Sequence, residues 1–403
     1  MPTQNSAADI VSSQWQVLTE PPELVSGREP VRDREFRLLR ACCGDPKQVS
    51  QALRPDLRWD EVFKQAAYHR VLPALYVALG NLAEVPASIQ SALRARYLRH
   101  CQRAMRFSSE LATILRQFDA RGIPAIAQKG PALAHVLYGD STMRQFGDLD
   151  LLVRPADVSR AVGALAELGY EKNLMLSPRQ EKAYLQSGYE YVFGRGDERN
   201  MVELQWNLLP RFYAVDVDID ELFAQSREVE FEDCRARMLA LEDQLIFLCT
   251  HAAKHQWAQL GMVRDIGALA GFDLDWEFVL SQARRLGILR IVLVSLQLAD
   301  ELMGRELAKQ VTGLREIAGE RKFLAGIIER MTAMCEIHPE SPAYFRLMLQ
   351  IRERWSERAQ FLWRLATTSS VGEWQATQMP DAFFPLYSGI RVVRLLQRFA
   401  SRS

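Results

Sequence analysis

Apolar positions recur at helical spacing along most of this chain and switch to a period of two in one central region. From Arg34, the residues Phe36, Leu38, Leu39 and Cys42 fit one helix. Trp59, Val62, Phe63 and Ala66 begin another with Asp56 or Asp60 near its start, and Val71 to Leu79 follows. Ala87 to Gly122 reads as a long helical stretch broken once, and its polar side carries Arg94, Arg96, Arg99, Arg103 and Arg106. A solvated face is the expected reason for those arginines, ahead of a polyanion contact.

Between about Gly122 and Pro210 the pattern is mixed. An apolar strand over Ala125 to Gly130 precedes a helix over Ala132 to Tyr138, and Phe146 to Val153 alternates as a strand. A helix from Pro155 to Leu168, a turn at Gly169-Tyr170 and a short helix over Pro178 to Leu185 come next. Tyr189 to Phe193 and Met201 to Trp206 then alternate on either side of a turn with two glycines and an Asp, which predicts a hairpin. From Asp220 the periodicity is helical again, and residues 273–360 read as a helical bundle. The segment Pro380 to Ser403, with aromatics and Arg391, Arg394 and Arg398, is expected to pack back on that bundle rather than lie at a membrane or partner surface.

These elements predict an α+β fold: a mixed sheet with flanking helices, embedded between an N-terminal helical region and a C-terminal helical domain. The expected divisions are a poorly ordered lead-in over 1–33, a helical region over 34–121, a sheet-bearing core over 122–210 and a helical domain with an amphipathic tail over 211–403.

The candidate chemistry lies in the strand Phe146 to Val153, where Asp148 and Asp150 interrupt an otherwise apolar run. With a period of two, both carboxylates point the same way, roughly 6.6 Å apart along the backbone. Unpaired, two desolvated anions this close repel, and a divalent cation removes that objection. The plainer reading is that one Asp caps a turn after Gly147 and the other is solvated at a strand end. That leaves unexplained the upstream strand ending in Gln128, Lys129 and Gly130, where a helix start and an ammonium group suit a polyphosphate.

The order strand, Lys129-Gly130, helix, Arg144, then Gly147-Asp148-Leu149-Asp150-Leu151 resembles the DNA polymerase β-type nucleotidyltransferase superfamily. More narrowly, it resembles the bacterial uncharacterised nucleotidyltransferase family, in which Lys-Gly stands where many relatives carry Gly-Ser. The resemblance implies a third acid on a later strand, and Asn200 to Trp206 supplies Glu203. Met201, Glu203 and Gln205 share one face of that strand, and Gln205 stands where the family often has His. The resemblance also makes the helix with His251, His255 and Trp257, together with the pair Arg264-Asp265, part of a helical domain lining a nucleotide cleft, so His255 and Asp265 join the candidates. His251 and His255 lie four apart on one helix face, but no HExxH context or third ligand accompanies them, so a zinc site is not expected.

The implied activity is transfer of NMP from an NTP, with ATP the expected donor, to a hydroxyl-bearing acceptor, with release of pyrophosphate. Asp148, Asp150 and Glu203 would hold two Mg²⁺ ions, while Lys129, Gly130 and Arg144 would meet the phosphates. Asp148→Asn or Asp150→Asn is then expected to abolish turnover while leaving the fold intact or more stable. The alternative is a non-catalytic binding or regulatory module of the same fold. Fifty basic residues balance fifty acidic ones, which disfavours a long nucleic acid and leaves a small molecule or a protein as acceptor. Six scattered cysteines without a CxxC pair argue against a zinc module or disulfide framework, and no secretion signal or membrane-spanning run is evident. A reducing cytoplasm is the expected compartment.

Overall fold

The computed structural model describes residues 31–304, 321–339, 341–368, 370–376 and 386–400. The lead-in expected over residues 1–33 therefore lies almost wholly outside the described residues, as do Pro380 to Pro385 and the last three residues of the tail.

A seven-stranded mixed sheet forms the centre: β1 Ala125–Ala127, β2 Leu149–Val153, β3 Glu171–Lys172, β4 Glu190–Arg195, β5 Glu198–Gln205, β6 Arg227–Phe231 and β7 Cys234–Met238, in the order β3-β4-β5-β2-β1-β7-β6. The strand β2, Leu-Asp-Leu-Leu-Val, is buried at every position, as a strand flanked on both edges and covered on both faces must be. It runs antiparallel to β1 and parallel to β5, so two segments distant in sequence lie side by side.

Helices α1 Val31–Cys43, α2 Trp59–Tyr68, α3 Leu72–Leu79 and α4 Ala87–Asp119 precede the sheet. The expected break in the long helix is absent: α4 is continuous, because no glycine or proline falls within it. Arg94, Arg99, Arg103 and Arg106 are exposed along it, as a solvated face requires. Helix α5 Gly130–Tyr138 bridges β1 and the turn before β2, while α6 Leu241–Lys254, α7 Leu260–Leu269 and α8 Leu289–Met303 pack together after the sheet.

The stretch after Asp220 is not uniformly helical. Residues 227–238 form the hairpin β6–β7, whose β7 extends the sheet beside β1. Val229, Phe231, Ala236 and Met238 do alternate with charged residues, but the turn is Glu232-Asp233 without glycine, and Glu232 itself adopts φ +53°. A left-handed Glu is a sterically disfavoured turn residue, which hides the hairpin from turn chemistry.

The tail helix Tyr387–Ala400 packs against the helix Trp355–Thr367. Arg391 donates to the Leu365 carbonyl at 2.7 Å and pairs with Glu373 at 3.3 Å, and Arg394 reaches the same carboxylate at 3.0 Å. Among the described residues, no helix is long and apolar enough to cross a membrane.

Candidate functional site

The site is built on one face of the sheet, and strand register assembles it. Asp150 and Glu203 are direct neighbours across the parallel β2–β5 ladder, so both side chains leave the same face. Asp148 sits just before β2, since the strand begins at Leu149 rather than at Phe146. Across the antiparallel β4–β5 ladder, Glu190 pairs with Gln205, which adds a fourth carboxylate to that face. The alternation of the hairpin held the signal for Glu190: pairing the two strands around their turn puts it beside Gln205.

Lys129 lies at the other side of the acids. Its ammonium is 2.8 Å from Asp150 Oδ1, with both side chains buried. Burial pushes the Lys129 pKa down, but the fields of Asp150, Glu203 and Asp148 outweigh it, so it is raised overall. Gly130 starts α5 with φ +66°, and a side chain there would stand 3.6 Å from the Asp148 carbonyl. The backbone can take that turn because no Cβ opposes it. The amino end of α5 thus opens next to Asp148, with its free N–H groups.

Gln205 ties two of the acids together. Its Nε2 donates to Asp150 Oδ1 at 3.3 Å and to Glu203 Oε2 at 3.2 Å. An amide supplies two donors from one nitrogen, which suits a bridge between two carboxylates.

The acids are electrostatically frustrated. Burial first, then Glu190, Asp150 and Asp148, push the Glu203 carboxyl well above its usual range. Asp148 is raised by burial and by Asp150, with Lys129, Arg70 and Arg144 pulling it back. Glu190 is also raised, chiefly by burial, and its Oε2 is buried with no partner. The Oδ2 of Asp150 is buried and unpartnered too. Buried carboxylate oxygens without donors are costly, and oxygen-rich, mutually repelling sets of this kind suit a hard divalent cation. The residues present fit such a group, although among the described residues no three of them are already gathered around a single ion position.

Arg144 stands on the turn before β2 and is held from the helical side. Its Nε donates to Asp265 Oδ2 at 2.7 Å, and the Tyr138 hydroxyl donates to the other oxygen at 2.7 Å. Asp265 is 4% exposed, so both its oxygens are committed to protein donors. The structure therefore brings Asp265 to Arg144 rather than into the cleft as a separate ligand. His251 and His255 lie with ring centroids 4.7 Å apart, tilted by 52°, at the end of α6. Burial lowers both, with Lys129 the next influence on His251 and Lys254 on His255, which makes both imidazoles neutral at pH 7. Lys254 donates to the Tyr189 hydroxyl at 2.6 Å beside Glu190.

A mixed sheet with Asp150 on a central strand, Asp148 just before it, Glu203 on the adjoining strand and a Lys-Gly helix start beside them is consistent with the nucleotidyltransferase fold. The chain belongs to the family described as uncharacterised nucleotidyltransferase, whose model matches residues 55–304. That span takes in α2 to α4, β1 to β7, α6 with His255 just past its end, and α7 with Asp265. No match was found among curated proteins or among solved structures.

Proposed function

We propose that this protein moves NMP from an NTP to a hydroxyl on a small-molecule or protein acceptor and releases pyrophosphate. The observation that carries the reading is the pairing of Asp150 with Glu203 across parallel strands, on the face that also receives Lys129. Asp148, Asp150 and Glu203 would hold Mg²⁺, two ions in the full site, which when bound would screen the triphosphate and activate the acceptor hydroxyl.

The remaining roles belong to the chain's own groups. Gly130 lets backbone N–H groups approach the β- and γ-phosphates. Lys129 carries three donors on a flexible stem, so it can pass from Asp150 to a phosphate oxygen once that carboxylate is otherwise engaged. Asp265 and Tyr138 hold Arg144 as a fixed cation at the phosphate side, a positioning role for Asp265. His255, neutral and beside Lys254, offers a stacking or hydrogen-bonding edge to the nucleotide. Gln205 keeps Asp150 and Glu203 in register.

Incubation with Mg²⁺, a pool of hydroxylated metabolites and NTP labelled separately at the α- or γ-phosphate tests the reading. Transfer of α-label with loss of γ-label as pyrophosphate is expected. Transfer of γ-label would make the protein a phosphotransferase, and transfer of neither would overturn the proposal.

A further inference from the structure

The turn between α2 and α3 holds the backbone of Arg70 at φ +57°, a left-handed conformation that glycine adopts freely and arginine does not. The surroundings force it. The Gly261 N–H donates to the His69 carbonyl at 2.9 Å, and the Leu260 N–H to His69 Nδ1 at 3.3 Å. On the other side, the Leu72 N–H donates to Gln145 Oε1 at 2.8 Å, next to Arg144 on the turn that leads into Asp148. A side chain at Gly261 would stand 2.8 Å from the His69 carbonyl, so the approach is as close as backbone allows.

The Arg70 side chain is exposed, and its turn is tied through Leu72 and Gln145 to the segment that leads into Asp148. Arg70 is among the cations that pull down Asp148, and its field also reaches His255 and Glu336. Of the three cations acting on Asp148, Lys129 is tied to Asp150 and Arg144 to Asp265. The Arg70 guanidinium has no ion pair or hydrogen bond among the described residues.

We propose that Arg70 grips the terminal phosphate of the bound NTP, an inference that rests on the nucleotidyl-transfer reading. A guanidinium presents parallel N–H donors that match two phosphate oxygens. During transfer the acceptor hydroxyl gives its proton to the Glu203 carboxylate, its oxygen bonds to the α-phosphorus, the bond from that phosphorus to the bridging oxygen breaks, and the electron pair leaves with pyrophosphate. Arg70 meets the charge that grows there, and forms no bond itself. A strained backbone at this position is explained by the direction it gives the side chain.

The test is calorimetric binding of the α,β-methylene analogues of the four NTPs, and of the corresponding NMPs, with Mg²⁺, to wild type, Arg70→Gly and Arg70→Lys. Arg70→Gly relieves the left-handed strain, so its melting temperature should equal or exceed that of wild type. Its affinity for the preferred triphosphate should fall by roughly tenfold or more, the weight of a charge-assisted hydrogen bond, with NMP affinity unchanged. Arg70→Lys, which keeps backbone and charge, should lose triphosphate affinity to a smaller degree and serves as the reading should the glycine variant fail to fold. Unchanged triphosphate affinity in both variants, or equal losses for NTP and NMP, overturns the proposal. Absence of any Mg²⁺-dependent NTP binding by the wild type instead sinks the nucleotidyl-transfer reading on which it stands.

Discussion

The ammonium of Lys129 lies 2.8 Å from Oδ1 of Asp150, a buried ion pair in the middle of a carboxylate-rich face. It neutralises one acid among four and leaves Asp150 Oδ2 without a partner. Lys129 follows β1 at the start of α5 and Asp150 lies within the neighbouring β2. Removing either partner strands the other in a poorly solvated place.

Lys129→Met should therefore cost about 3 kcal/mol of stability without Mg²⁺, as expected for an orphaned buried charge. Denaturant titration measures this, and added Mg²⁺ should recover part of the loss in the variant. A stability within 1 kcal/mol of wild type, on the same scale of buried-pair losses, would show that the pair is not structural.

Asp148→Asn and Asp150→Asn should both abolish NTP turnover but differ in stability. Asp148, whose pKa is raised by burial and by Asp150, gains from losing its charge, so Asp148→Asn should melt at or above the wild-type temperature. Asp150→Asn forfeits the Lys129 pair and should melt lower, against the sequence expectation that either variant leaves the fold intact or more stable. Thermal melts of the two proteins side by side decide this.

Gln205→Leu removes both donors that hold Asp150 and Glu203 together. Groups that orient metal ligands typically contribute 10- to 100-fold, so turnover or the apparent Mg²⁺ affinity should fall by about that factor. A Mg²⁺ titration of turnover provides the measurement, and an unchanged curve would count against the bridging role.

Asp243, on α6 away from the acid face, is pushed up to about 6 from its ordinary 3.8 by burial first and then by Glu221 and Glu242, and its Oδ2 has no partner. A raised carboxyl binds more protons folded than unfolded, so its contribution is fully present below about pH 4 and is lost as pH rises through about 6. The stability advantage of Asp243→Asn over wild type should thus grow between pH 4 and 6 by on the order of 2 to 3 kcal/mol and stay level above. Melts across that range test it; a flat difference contradicts the assignment.

Local pattern carried much of the site. The alternation through Asp150, the Lys129-Gly130 helix start and the face shared by Glu203 and Gln205 were readable, because strand periodicity determines which way each side chain leaves the backbone, whereas Asp148 lies just before the strand and outside that rule. The helical character of most of the chain followed in the same way from spacing. Tertiary structure alone decided which strand lies beside which. It set Asp150 against Glu203 and added β7 at the edge of β1 through a turn with no glycine to announce it. It also joined Arg144 to Asp265 across 121 residues and delivered Arg70 from a turn before the sheet. Periodicity encodes faces, whereas pairing, register and long-range ion pairs depend on how those faces are buried against one another, a choice made by packing over the whole chain.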